Sequence, residues 1–135
     1  MRRPMITKSP SCPRVLIAED DRALRDSLAA LVETEGYAAV VVDDGRDAYR
    51  RLLADADFSM VILDMLMPYL KGLDILRYMR TEKRLMKIPV VMITGDCDLS
   101  LMADSFAAGA VAFLTKPFKP EQLQNTLRLF LSRNN

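Results

Sequence analysis

The sequence predicts one α/β domain, a parallel β-sheet with helices packed on both faces. Three observations carry this. Short apolar runs recur along the chain and none alternates with polar residues, the habit of strands buried on both faces. Segments between them place apolar residues at helical spacing. All five glycines fall where a run or a stripe begins or ends. A chain of 135 residues is also the common size for a single core.

Met1–Pro13 carries Pro4, Pro10 and Pro13 among Thr, Ser and Lys, and reads as a flexible leader. Arg2, Arg3, Lys8 and Arg14 make the first 14 residues basic without an acid, and the remainder holds 15 basic against 18 acidic side chains. The compact domain is therefore expected over 14–135, mildly acidic, behind a basic leader over 1–13. Its strands are read at Val15–Ala18, Ala38–Val42, Met60–Leu63, Pro89–Ile93 and Val111–Leu114. The first helix shows Leu24, Leu28, Leu31 and Val32 on one stripe. Ala48 with Leu52, and Ile75 with Met79, mark the next two. Leu99, Met102 and Phe106 mark the fourth, and Leu123, Leu127 and Phe130 the fifth. Gly36 and Gly109 follow helical segments, where a left-handed cap is usual. Pro120 opens the last helix, where a missing N–H costs nothing. β-α repeated five times implies right-handed crossovers.

Composition excludes several chemistries. The chain has no His. There is no Ser-His-Asp triad, no Cys-His pair and no imidazole titrating near neutral pH. Two Cys, Cys12 and Cys97, do not complete a zinc site and do not read as a disulfide framework, which suits a reducing cytoplasm. The net charge of +1 gives no global field for nucleic acid. No apolar stretch approaches the roughly 18 residues of a membrane span, and the leader lacks the apolar core of a secretory signal. Arg77, Arg80, Lys83, Arg84 and Lys87 read as a solvated helix face, because no aromatics interleave them.

Ligands of a parallel α/β sheet bind outside the carboxyl ends of the strands. There the sequence places Glu19, Asp20 and Asp21 after the first run, and Asp64 after the third. Thr94, Gly95 and Asp96 follow the fourth, and Lys116 with Pro117 the fifth. Singly each is ordinary; Asp21 is best read as a helix cap. Together, clustered carboxylates call for a cation. With oxygen ligands only, that cation should be hard: Mg²⁺ first, with Mn²⁺ or Ca²⁺ as substitutes. A Thr hydroxyl and a Lys ammonium suit phosphoryl oxygens, and an Asp can be the nucleophile of an acyl phosphate.

With V-L-I-A-E-D-D, D-M-L-M-P-Y-L-K-G at 64–72, I-T-G at 93–95 and K-P-F at 116–118 in this order, the chain resembles a response-regulator receiver domain of two-component signalling. The resemblance covers about Arg14–Leu131. It implies a flavodoxin-like three-layer sandwich, a five-stranded parallel sheet of order 2-1-3-4-5 with five helices. It implies Asp64 as phosphoacceptor. Glu19, Asp20, Asp64 and the backbone carbonyl of Leu66 become Mg²⁺ ligands. Thr94 becomes the switch hydroxyl, with Phe113 as the aromatic that swings inward. Lys116 pairs with the phosphoryl group, and Lys116-Pro117 is a cis peptide. Leu66 and Asp96 stand where the family tunes phosphoryl lifetime. Gly95 leaves room for a donor, and Leu101, Ala108 and Phe113 fall on the face that receivers use for partners.

The expected function is therefore a cytoplasmic signalling switch rather than a turnover enzyme. Its phosphoryl group comes from a sensor histidine kinase or a histidine phosphotransfer protein, since the chain has no His of its own. Its output goes to a downstream protein or a fused output domain, as a monomer or a phosphorylation-dependent dimer, with no direct nucleic-acid or membrane contact. Three alternatives compete. An Mg²⁺-dependent aspartyl-phosphate phosphatase would place a second Asp where Leu66 stands. A flavodoxin-like electron carrier needs a Ser/Thr/Gly loop where Glu19-Asp20-Asp21 stands. A degenerate pseudo-receiver acting as a scaffold would not need the full set of acids, Thr and Lys.

Overall fold

The computed structural model describes residues 12–95 and 99–131. Its elements are β1 (Arg14–Ala18), α1 (Arg22–Thr34), β2 (Ala38–Val42), α2 (Gly45–Ala54), β3 (Met60–Asp64), α3 (Gly72–Thr81), β4 (Val90–Thr94), α4 (Leu99–Ala107), β5 (Ala112–Thr115) and α5 (Pro120–Leu131). All five strands are parallel, in the order β2-β1-β3-β4-β5. This is the flavodoxin-like order. Of the expected leader, residues 1–11 lie outside the described residues, as do Asp96 and Cys97. Pro13, within its expected bounds, already offers its carbonyl to Ala38 N–H at 2.9 Å.

Strand side chains alternate between two cores. Leu16, Ala18, Val61 and Leu63 face Ala48 and Leu52 of α2 and Ile75, Leu76 and Met79 of α3. Val15, Ile17, Met60 and Ile62 face Leu28 and Val32 of α1 and Leu123 and Leu127 of α5. Each Val, Leu, Ile or Met side chain among these, fully buried, contributes about 1.5–3 kcal/mol. Burial on both faces holds for β1, β3 and β4 but not for the edges. β2 is mostly half-buried with Val41 exposed, and β5 is half-buried except at Leu114, because an edge strand is flanked on one side only.

Local chemistry sets the helix ends. Asp21 accepts from Ala23 N–H at 3.0 Å and caps α1. Gly36 and Gly109 hold φ of 94° and 108°, the left-handed conformation that glycine adopts without penalty.

Helix α4 departs from the reading. Leu99 and Phe106, placed on its core stripe, are 77% and 46% exposed. The buried residue is Ser105, with Leu101 and Ala108 packed against the α2–α3 core. Periodicity shows that a stripe exists but not which way the helix is rolled. Here Ser105 Oγ donates to Leu101 O at 2.8 Å, so its hydroxyl is satisfied inside the helix and can be buried cheaply. Phe113 also packs against that core, half-buried. The basic stretch is likewise only partly solvated. Arg80 donates to the carbonyls of Met86 (2.9 Å), Ile88 (3.3 Å) and Gly109 (2.9 Å). Arg84 donates to Leu52 O at 2.6 Å.

Candidate functional site

The carboxyl ends of β1, β3, β4 and β5 bring the expected residues together. Glu19 directly follows β1. Its N–H donates to Val42 O at 3.2 Å, which extends the ladder by one residue, and its side chain is buried. Asp64 is the last residue of β3 and Thr94 the last of β4, both buried. Thr94 stands one residue beyond Ile93, the partner of Asp64 across the sheet. Lys116 follows β5, its N–H donating to Thr94 O at 2.7 Å, and the Lys116-Pro117 peptide is cis.

The centre of the site is an ion triangle. Lys116 Nζ lies 3.0 Å from Glu19 Oε1 and 3.0 Å from Asp64 Oδ2. Asp64 Oδ1 accepts from Leu66 N–H at 3.2 Å, and Glu19 Oε2 accepts from Asp21 N–H at 3.0 Å. Burial pushes the Glu19 carboxyl up to about 7; the Asp21 N–H and Lys116 oppose this, and the Asp64 carboxylate beside it adds to the rise. Burial alone would lower Lys116, but the two carboxylates outweigh it and raise its pKa.

The donor set fits a hard divalent cation. Carboxylate oxygens of Glu19, Asp20 and Asp64 lie within 4.8 Å of one another. Asp20 is exposed and so faces the solvent from which an ion would arrive. Glu19 Oε1 is buried without a hydrogen bond. Its near neighbour is the Lys116 ammonium, 3.0 Å away as an ion pair, so this oxygen has bonding capacity left for a cation. A second group, Asp43, Asp44 and Asp47, is equally close and has a simpler account. Asp44 caps α2 by accepting Asp47 N–H at 2.8 Å, and Asp47 pairs with Arg50 at 3.8 Å.

Two supporting residues escaped the sequence reading. Gly72 opens α3 with its N–H on Met65 O at 3.1 Å, and a Cβ there would run into the Asp64 carbonyl. Its signals are its place in the 64–72 motif and at the start of a helical stripe. Arg25 on α1 donates to Glu19 O at 3.1 Å, a contact that no pattern announces. Among the described residues, a Cβ at Gly95 would meet nothing within 4 Å.

The comparisons agree with this geometry. Residues 15–128 match the family described as the response regulator receiver domain. The chain is 34% identical over 120 residues to the response regulator MprA of Mycolicibacterium vanbaalenii, covering 89% of this chain and 51% of that protein. It is 32% identical over 125 residues to the DNA-binding response regulator MtrA of Mycobacterium tuberculosis, covering 90% and 52%. The chain thus spans about half the length of these relatives. The solved structure of the chemotaxis response regulator CheY4 of Vibrio cholerae superposes with a TM-score of 0.81 at 28% identity, over 89% of this chain and 99% of that one. Strand order, strand-end chemistry and sequence similarity converge: the chain belongs to the response regulator receiver domain family.

Proposed function

We propose that the chain is a phosphorylation switch whose acceptor is Asp64. The observation that carries this reading is the Lys116 ammonium held 3.0 Å from both Asp64 and Glu19 at the carboxyl end of a parallel sheet. A carboxylate oxygen of Asp64 attacks the phosphorus of a phosphohistidine. The new P–O bond forms in line as the P–N bond breaks, and the imidazole leaves on the donor. The cation of choice is Mg²⁺, held by the carboxylates of Glu19, Asp20 and Asp64 and the backbone carbonyl of Leu66. When bound, it neutralises charge on the transferring group. Lys116, already beside Asp64, is placed to neutralise the phosphoryl oxygens after transfer.

The phosphoryl dianion then recruits the Thr94 hydroxyl, and Phe113 shifts into the space that Thr94 leaves. That biases a two-state surface over α4, β5 and α5, on which Leu99 and Phe106 stand exposed. The donor is a sensor histidine kinase or a histidine phosphotransfer protein in the cytoplasm. The surface signals to a downstream protein or a fused output domain, as a monomer or as a dimer formed on phosphorylation. The receiver unit is placed over 14–135, behind a basic leader. The test is uptake of radiolabelled acetyl phosphate with Mg²⁺. Wild type should be labelled and Asp64→Asn should not; labelling of Asp64→Asn at the wild-type rate overturns the reading.

A further inference from the structure

The loop 65–71 connects the site to α3. Leu66 and Tyr69 are 59% and 69% exposed. Tyr69 holds φ of 76°, a left-handed conformation uncommon for any residue with a side chain and an outlier for a bulky one. It is held there from within the loop and from α2. Gly45 N–H at the start of α2 and Leu70 N–H both donate to Pro68 O, at 3.1 and 3.0 Å. A Cβ at position 45 would run into the Leu70 carbonyl, so only glycine permits this approach. The guanidinium of Arg46, the next residue, lies 4.0 Å from the centroid of the Tyr69 ring.

Strain of this kind is kept where a side chain is used. A ring left mostly in solvent gains little burial to offset it. The other end of the same loop is the site, where Leu66 N–H donates to Asp64 Oδ1 at 3.2 Å. Every donor must bring its phosphoryl group to Asp64 at this end of the sheet. A small donor touches only the acidic mouth, whereas a protein donor must rest on the loops around it. Leu66 and Tyr69 are the large apolar side chains that loop 65–71 exposes there. Arg46 holds the ring before contact, which lowers the ordering cost of binding. Tyr and Arg are also the residue types that dominate protein interfaces.

We propose that Tyr69, braced by Arg46 and flanked by Leu66, is a docking anchor for the protein that delivers the phosphoryl group, and so sets the preference for protein over small-molecule donors. The partner is a phosphohistidine protein with apolar side chains beside its histidine. The proposal rests on Asp64 being the phosphoacceptor.

The experiment compares two donors on each variant. One is acetyl phosphate. The other is a phosphorylated histidine phosphotransfer protein, chosen from a panel for rapid transfer to the wild-type chain. Tyr69→Gly removes the ring and leaves the backbone free to stay at positive φ. Tyr69→Phe keeps the ring, and Arg46→Ala removes the brace. The ratio of kcat/KM for the protein donor to the rate with acetyl phosphate should fall about tenfold or more in Tyr69→Gly. It should fall severalfold in Arg46→Ala and little in Tyr69→Phe. A fall in both rates together would make Tyr69 a mere support of the loop and overturn the proposal. So would an unchanged ratio, or a panel in which no member transfers while acetyl phosphate still labels Asp64. Failure of the phosphoacceptor reading is separate: wild type then takes label from neither donor.

Discussion

Two half-buried cations stand at opposite ends of the parallel sheet and are bonded to different kinds of partner. Lys116, at the carboxyl ends, lies against the carboxylates of Glu19 and Asp64. Arg80, at the amino ends, is bonded to the carbonyls of Met86, Ile88 and Gly109. The carbonyls are neutral, fixed and indifferent to pH, so the Arg80 fork ties α3 to the backbone that enters β4 and β5. The carboxylates attract any cation. On the function proposed above, Lys116 therefore sits in a contact that a metal ion or a phosphoryl group rearranges. The same charge serves permanence at one end and exchange at the other, and the partner decides which.

The largest test of this contrast is Arg80→Ala. Three carbonyls lose a charged donor in a partly buried place, so urea unfolding should show a loss of about 3 kcal/mol. Millimolar Mg²⁺ should return none of it. An unfolding midpoint within error of wild type would show that the fork carries no load. Lys116→Met is the counterpart. It leaves Glu19 and Asp64 facing each other without a cation and should cost about 2 kcal/mol at neutral pH without divalent metal. Here millimolar Mg²⁺ should restore most of the loss, because an ion bound only by the folded state stabilises it. Equal responses of the two variants to Mg²⁺ would erase the distinction.

A smaller loss should follow Gly109→Ala, which attacks the Arg80 fork from its acceptor side. The position holds φ of 108°, and a Cβ would meet Arg80 Nε at 2.5 Å. The left-handed strain alone is worth about 1–2 kcal/mol. The costs of Gly109→Ala and Arg80→Ala should sum to more than the double variant loses, since both break one contact. Strict additivity in urea unfolding would mean that the clash is relieved without moving Arg80.

These two ends also differ in how far the sequence discloses them. The gathering of the candidate site residues was legible because they are written at strand ends. Glu19, Asp64, Thr94 and Lys116 each follow or close an apolar run, and a parallel sheet gathers those positions on one rim. Arg80 was misread as solvated because its partners are backbone carbonyls, up to 29 residues away, and backbone carbonyls leave no mark in a sequence. The roll of α4 was hidden for a related reason. Leu99, Met102 and Phe106 do form a stripe, but the side that faces inward carries Leu101 and Ser105, whose hydroxyl lies 3.6 Å from Met65 Sδ. The Tyr69–Arg46 stack joins residues 23 positions apart, on two separate elements.

Arg14 is the intermediate case, and it gives the smallest effect and the sharpest sign. Its guanidinium holds a carboxylate, Asp55 Oδ2 at 2.8 Å, and a carbonyl, Asp57 O at 3.0 Å. The hydrogen bond from Arg14 comes first among the causes that keep the Asp55 carboxyl below its ordinary value, followed by the Asp57 N–H. A depressed carboxyl pKa stabilises the fold above the unfolded-state value, and that contribution is lost as pH falls through the folded one. Asp55→Asn keeps an oxygen for the Asp57 N–H, which Asp55 Oδ1 accepts at 2.8 Å, and removes the charge together with the acceptor that faces Arg14. The pair is partly exposed, so the variant should lose about 0.5 kcal/mol at neutral pH. The difference from wild type should shrink as pH falls below the ordinary carboxylate value and through the lower folded one, as protonation removes the same charge from wild type. The Arg80→Ala loss, measured alongside, should not change over that range, because its acceptors do not titrate. A pH-independent Asp55→Asn loss would place Arg14 with Arg80, held by its carbonyl partner alone; a loss that fades with acid places it with Lys116.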